Sequence, residues 1–171
     1  MNSKNLAIID EDPTTPVPEE LLLTDEDFPS NYTNMHHPDD YKLTTQPIEK
    51  ELIFHQYKMR HPRLILRCSI KLAENVFTSM SFVLDTGAPK IYISAFAKPL
   101  LVQHCLLVED EKLGVEYVNF FGRKYRIEDT PEGHAPANII GLKTLCHWGL
   151  TLFDEPDFGF LLKNDIPFLE A

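Results

Sequence analysis

Apolar and polar residues alternate along the middle of the chain with the two-residue period of β-strands. Residues 64–72 alternate in this way in their second half, residues 76–84 are rich in β-branched and aromatic residues, and the residues between them are typical of a tight turn. This hairpin would place Asp85 at the far end of its second strand. Further short strands are predicted over residues 91–93, 106–108, 115–121, 124–127, 138–141, 151–153 and 158–162.

One stretch has helical periodicity instead. Residues 142–149 fit one or two turns, with Leu142, Leu145 and Cys146 on one face. Short strands that recur every eight to twelve residues or so, beside one short helix, are typical of a barrel-like domain. We therefore expect an all-β fold.

The first fifty residues differ in composition from the rest. Residues 1–50 contain eleven acidic residues, three basic residues and six prolines, and this part accounts for most of the net charge of −10. Such a segment buries too little apolar surface to offset the entropy of ordering it. We expect a disordered acidic tail over residues 1–50, one domain over residues 51–163 and a C-terminal tail over residues 164–171. The run between Leu21 and Phe28 could dock onto a partner protein, although a chance cluster of leucines is the alternative.

Charge and composition exclude several classes of protein. Residues 51–171 hold fifteen acidic and thirteen basic residues, so no nucleic-acid-binding surface is expected. No apolar run approaches the roughly twenty residues that span a bilayer, and no secretory signal is recognisable at the N-terminus. The three cysteines are too scattered for a disulfide framework. We expect a soluble, intracellular protein of the cytoplasm.

The acid that follows the second strand is the clearest candidate for chemistry. Asp85 comes directly after three apolar residues, where a carboxylate loses hydration, and proteins accept this cost mostly when the acid is paired or catalytic. Thr86 offers a hydroxyl that can hold the loop, and Gly87 lets the backbone approach the carboxylate closely. By itself, this tripeptide is also compatible with an ordinary β-turn.

The surroundings of this tripeptide resemble the retropepsin family of aspartic proteases. In that family an Asp-Thr/Ser-Gly loop is followed, most of a domain later, by an apolar-apolar-Gly strand and a short helix. Residues 85–88 and 137–145 are similar to these two elements. Residues 121–125 and 149–153 resemble the strand turn before the second element and the strand after it. The resemblance covers about residues 64–154.

The resemblance implies a retropepsin-like half-barrel with one short C-terminal helix, active as a homodimer on a polypeptide substrate. Each chain supplies only Asp85, so two copies would form the catalytic pair, in which one carboxylate holds a proton and the other activates water. Thr86 would hydrogen-bond across the dimer, and the Gly87 backbone would face the substrate. The implied substrate-binding residues are Ala88, Ile139, Ile140 and Gly141. No cofactor and no metal ion are expected.

Two positions depart from the family pattern. Pro89 and Leu142 stand where retroviral enzymes usually have an acid and an arginine that pair near the interface. Because both partners are absent together, no charge is stranded, but the dimer contact must be built differently. Residues 158–162 are the candidate for that contact.

The hairpin that should close over the substrate is a further departure. It is expected over about residues 101–119, is short, and turns without glycine, whereas lids usually need mobile residues. The flap candidates are Val108, Glu109, Asp110, Glu111 and Lys112. The alternative function is therefore a retropepsin-like domain that cleaves little and serves as a dimerisation and protein-binding module. A retrotransposon-like origin and a host-encoded one are both open.

A group of basic residues precedes and enters the first predicted strand. It could contact RNA or the acidic tail, but a solvated strand face is favoured, because no aromatic residues are interleaved with it. The group comprises Lys58, Arg60, His61, Arg63, Arg67 and Lys71.

Overall fold

The computed structural model describes residues 23–56, 62–120, 122–131, 133–134, 136–153 and 159–162. The predicted C-terminal tail, residues 164–171, lies outside the described residues. The strands are β1 (Leu43–Thr44), β2 (Glu51–His55), β3 (Arg63–Ala73), β4 (Val76–Asp85), β5 (Ile91–Ile93), β6 (Leu107–Asp110), β7 (Val115–Phe120), β8 (Arg123–Asp129), β9 (Asn138–Gly141), β10 (Leu150–Phe153) and β11 (Gly159–Leu162). The all-β class is confirmed.

Most strands belong to one sheet, in the order β2-β3-β4-β9-β5-β8-β7-β6, and β1 adds to β4 outside this path. The pair β4 and β9 is parallel, whereas the pairs β2–β3, β3–β4 and β6–β7 are antiparallel. Strands β10 and β11 form a separate antiparallel pair. Part of the segment expected to build a dimer contact, residues 159–162, therefore pairs with a strand of its own chain.

The predicted hairpin of residues 64–84 is confirmed as β3 and β4. Its register runs from Leu64 opposite Leu84 to Ala73 opposite Val76. Asn75 in the turn has φ 55°, a left-handed conformation that Asn tolerates better than most residues. Asp85 is the last residue of β4, where the sequence placed it.

The helices differ from the prediction in number and in facing. A helix that the sequence did not predict, α1 (Lys98–Gln103), precedes β6, and the predicted helix is α2 (Leu142–His147). Leu145 is buried, but Leu142 and Cys146 are exposed, so the expected apolar face of α2 is wrong for two of its three residues. No helix in the described part of the chain is long and apolar enough to span a bilayer.

Two apolar clusters lie on opposite faces of the sheet, because side chains along a strand alternate between faces. The main core contains Leu66, Phe82 and Ile140. The second cluster contains Val83 and Ile139 from the sheet. Chain segments from outside the sheet complete the second cluster: Leu23, Phe28, Tyr32 and Met35.

The expected disordered tail over residues 1–50 is therefore wrong for residues 23–50. Composition predicted disorder because acids dominate the segment, but Leu23, Phe28, Tyr32 and Met35 are buried and two of its acids reach arginines. Asp27 lies 3.7 Å from Arg63, and Asp40 accepts a hydrogen bond from Arg67 at 3.3 Å. The expected solvated basic face is accordingly wrong for Arg67, which is buried. The described residues do not include residues 1–22 and 57–61. Four residues named in the predictions therefore lie outside them: Leu21, Lys58, Arg60 and His61.

Candidate active site

The pairing of β4 with β9 fixes the position of Asp85. The two strands run parallel, with Leu84 opposite Ile140 and Asp85 opposite Gly141. The half-buried Asp85 carboxylate accepts a hydrogen bond from the Gly87 N–H at 2.8 Å through Oδ1. This is the local turn that Asp forms with the backbone two residues further on. It turns the carboxylate towards an exposed loop that carries Thr86 and Gly87.

Gly141 lets β9 approach this loop closely. A Cβ at Gly141 would lie 2.3 Å from the carbonyl oxygens of both Ala88 and Lys90. The neighbouring Leu142 N–H donates to the Ala88 carbonyl oxygen at 2.7 Å. Glycine is therefore required here because a Cβ would have no room, and not because the backbone angle is unusual. At Gly87 an added Cβ would lie 3.2 Å from Asp85 Oδ1, so that position also tolerates little bulk.

The predicted substrate-binding residues divide between the two faces of the sheet. Ala88 and Ile139 belong to the second cluster, on the face to which Val83 points, and Gly141 lies opposite Asp85. Ile140 is instead buried in the main core, since it alternates with Ile139 along β9. The structure thus brings together every predicted site residue in the two elements except Ile140, which lies on the other face.

Two groups that the sequence analysis did not single out lie within electrostatic reach of Asp85. Burial lowers the pKa of His134, and the Asp85 charge acts in the opposite direction. Burial raises the pKa of Tyr92, and the charges of Glu128 and Asp85 add to that effect. Neither residue carries a motif, because folding alone brings the loop before β9 and strand β5 to the site.

The flap candidates are placed on the hairpin of β6 and β7. Val108, Glu109 and Asp110 lie in β6, and Glu111 and Lys112 lie in the turn that follows. The expected glycine-free turn is wrong: the turn ends at Gly114, which has φ 58° and donates its N–H to the Asp110 carbonyl oxygen at 2.8 Å. The sheet order separates this hairpin from β9 by β5 and β8.

Within the ranges that the structure describes, no group of three or more His, Cys, Asp or Glu side chains is arranged to hold a metal ion. Cys68, Cys105 and Cys146 are free thiols. Comparison with known proteins gave no match to a protein-family model, a curated protein or a solved structure. The geometry around Asp85 is therefore the basis for assigning a function.

Proposed function

We propose that this protein is an aspartic endopeptidase of retropepsin type, active as a homodimer. The observation that carries the proposal is the loop at the end of β4, in which Gly87 orients the Asp85 carboxylate and Gly141 closes β9 against the loop. A Cβ at Gly141 would collide with the backbone of this loop, whereas one at Gly87 would lie 3.2 Å from Asp85 Oδ1. A plain β-turn would demand neither a parallel partner strand nor a glycine at the facing position.

The chemistry needs a second carboxylate. Two carboxylates about 3 Å apart cannot both ionise, so one retains a proton while the other takes a proton from water, which attacks the peptide carbonyl. One chain brings one Asp-Thr-Gly loop. In the proposal, the second carboxylate is Asp85 of another copy, related by a two-fold axis that uses the same surface on both chains.

Exposure around the loop supports this arrangement. Thr86 and Gly87 are exposed, and so is Leu142, an apolar residue that directly follows Gly141. A second copy would cover all three, and Thr86 is the hydroxyl that would bond across the axis. The proposed compartment is the cytoplasm, where the three free thiols stay reduced.

Cleavage of a peptide library at mildly acidic pH tests the proposal. We expect Asp85→Asn to reduce kcat/KM by at least about 1,000-fold, because the substitution keeps the shape of the side chain but removes the base. The matched control is Glu74→Gln, which changes an exposed carboxylate at the opposite end of the same hairpin. Equal cleavage by the Asp85→Asn variant would contradict the proposal.

Mixing the two proteins tests the stoichiometry. Excess Asp85→Asn chain should suppress the activity of a fixed amount of wild-type chain, because mixed dimers hold one functional carboxylate. Activity that is indifferent to this excess would exclude a shared site. A dimer that cleaves nothing, even when a substitution exposes the face of the sheet beside Asp85, would favour the dimerisation and protein-binding module.

A further inference from the structure

One face of the sheet presents a continuous apolar row beside the Asp85 loop. The strand registers place Ile53 opposite Ile65, Ile65 opposite Val83, and Val83 opposite Ile139. Tyr92 of β5 extends the row next to Ile139. The row therefore crosses five neighbouring strands at one level.

Asp85 points to the face that carries this row. Residues two apart along a strand share a face, so Ser81, Val83 and Asp85 line the same side of β4. Ala88, in the loop after Asp85, belongs to the same apolar cluster as Val83. An extended peptide that reached Asp85 along this face would lie on the row.

A segment of the chain itself occupies this position. Residues 23–41, here called the N-terminal strap, cross the row and bury four side chains against it, each at most 9% exposed: Leu23, Phe28, Tyr32 and Met35. Tyr32 also accepts a hydrogen bond at 3.3 Å from the Oγ of Ser81, which lies two residues before Val83 on the same face of β4. The occupant is thus a peptide with apolar and aromatic side chains.

Polar contacts hold the strap at both ends. At its start, the Leu23 N–H donates to His134 Nδ1 at 2.8 Å, and Asp27 pairs with Arg63. At its end, Asp40 pairs with the buried Arg67, and the Tyr41 N–H donates to the Ser79 carbonyl oxygen at 2.9 Å. Most of these contacts use side chains, in contrast to the backbone ladders that join the strands.

The strap is built less stably than the sheet beneath it. Met35 and Tyr41 have φ values of 62° and 66°, a left-handed conformation that is unfavourable for residues other than Gly, Asn and Asp. Apart from a short 3₁₀ helix at Asp25–Asp27, the strap consists of turns and isolated bridges. Segments of this kind open at a lower free energy than central strands do.

We infer that the face beside Asp85 is a binding surface for an extended peptide with apolar and aromatic side chains, and that the strap occupies it as an intramolecular inhibitor. The strap opens while the sheet stays folded. What the face binds rests on the proposed peptidase function, whereas the opening of the strap does not.

Thiol labelling of the full chain tests the opening. The protein carries Val83→Cys, which introduces a thiol under the strap, here called the strap-face thiol, and Cys105→Ser and Cys146→Ser remove the exposed thiols. Cys68, which is 1% exposed on the opposite face, reports opening of the main core in the same sample. Phe28→Ala weakens the strap, and Leu43→Ala is the control, because Leu43 lies just beyond the strap and is 57% exposed.

The expected result is that the strap-face thiol reacts with a maleimide at least about tenfold faster than Cys68. Phe28→Ala should raise the rate at the strap-face thiol by a further factor of about ten or more and leave the Cys68 rate unchanged, whereas Leu43→Ala should change neither. Equal rates at the two thiols in every variant would overturn the inference, since the strap would then open only with the sheet.

Two further measurements separate the possible failures. If Phe28→Ala does not fold, hydrogen exchange on the unmutated chain decides: amides of the strap must exchange faster than those of β4, and equal protection overturns the inference. With the strap weakened, peptidase activity should rise by the same factor as the labelling rate of the strap-face thiol. Fast labelling of the strap-face thiol without any cleavage would support the opening of the strap and contradict the proposed peptidase function.

Discussion

The two faces of the central sheet are buried to nearly the same extent, but different parts of the chain cover them. Leu66 and Phe82 on the core face are at most 1% exposed, and Ile65 and Val83 on the strap face are at most 3% exposed. Strands and helices of the same domain cover the first face. Residues 23–41, which have almost no regular structure, cover the second. Burial alone therefore does not tell which face belongs to the folding core and which can be uncovered.

The parts of the chain that cover the two faces also differ in their charged contacts. The main core consists of apolar side chains, whereas the strap is tied down by Asp27 with Arg63 and by Asp40 with Arg67. Dispersion and the hydrophobic effect are insensitive to moderate pH, but contacts made by carboxylates and histidines are not. The strap face is therefore the one that a change of pH can open.

The largest effect is expected from Phe82→Ala on the core face. Phe82 is 1% exposed and stacks edge-on against Phe120, so its truncation should lower the free energy of unfolding by about 4 kcal/mol. Denaturant titration measures this loss as a lower midpoint at constant m. Labelling of the strap-face thiol and of Cys68 should accelerate together, because the whole sheet opens. A selective effect on the strap-face thiol would contradict the assignment of the two faces.

Asp40→Asn tests the far end of the strap. Among the residues that the structure describes, the substitution leaves the buried Arg67 with the more exposed Glu51, 3.6 Å away, as its ionic partner, and removal of one member of a buried pair costs about 3 kcal/mol. The neighbouring Asp39→Asn is a matched control, since the Asp39 side chain is 61% exposed and pairs with Lys42 at the surface. We expect the unfolding midpoint to fall for the first variant and to stay unchanged for the second.

Gly141→Ala should affect the site and both faces together, because β9 contributes Ile139 to one face and Ile140 to the other. The added methyl group meets two backbone oxygens that cannot rotate away, so we expect a loss of about 2 kcal/mol or more and a displaced Asp85 loop. Gly114→Ala is the comparison: nothing lies within 4 Å of its Cβ, and only its φ of 58° opposes the change. Calorimetry should give a cost near 1 kcal/mol for Gly114→Ala. Equal costs would contradict the close approach at Gly141.

The sequence was most informative where structure is local. The second half of β3 alternates with a period of two and β4 is rich in β-branched and aromatic residues, so their hairpin and the position of Asp85 could be predicted, as could β9 and its glycine. The strap could not, because Leu23, Phe28 and Tyr32 follow no period and their region has the composition of a disordered tail. Its anchors join distant residues that no local pattern connects.

The residues of the site fall into the same two groups. Gly87 and Gly141 could be identified from spacing, because the loop and its facing strand each carry a short motif. His134 and Tyr92 could not, since their proximity to Asp85 arises only when β9 and β5 pair. The sequence did not predict α1 because this helix is short. It also begins with Lys-Pro, and proline is common in turns as well as in the first turn of a helix.

The smallest expected effect concerns pH and the start of the strap. His134 Nδ1 accepts the Leu23 N–H, so it must be unprotonated, and burial already lowers the pKa of His134 below its ordinary value of 6.5. Asp85 and Asp27 oppose this shift, while Arg63 adds to it. The folded state therefore binds fewer protons than the unfolded state just below pH 6.5. The contribution of this contact is complete above that pH and is lost as the pH falls towards the lowered pKa.

Acidification should accordingly open the strap before the sheet. We expect the ratio of strap-face thiol to Cys68 labelling to rise a few-fold between about pH 7.5 and 5.5, and the ratio cancels the intrinsic pH dependence of thiol reactivity. His134→Asn keeps an acceptor oxygen but cannot be protonated, so its ratio should not change with pH. His55→Asn is the control, because His55 also contacts the strap, at the Glu26 carbonyl oxygen 3.4 Å away. If His55→Asn abolishes the pH dependence and His134→Asn retains it, the strap responds to acid through His55 and not through His134. The contact between Leu23 and His134 would then not be the one whose loss opens the strap.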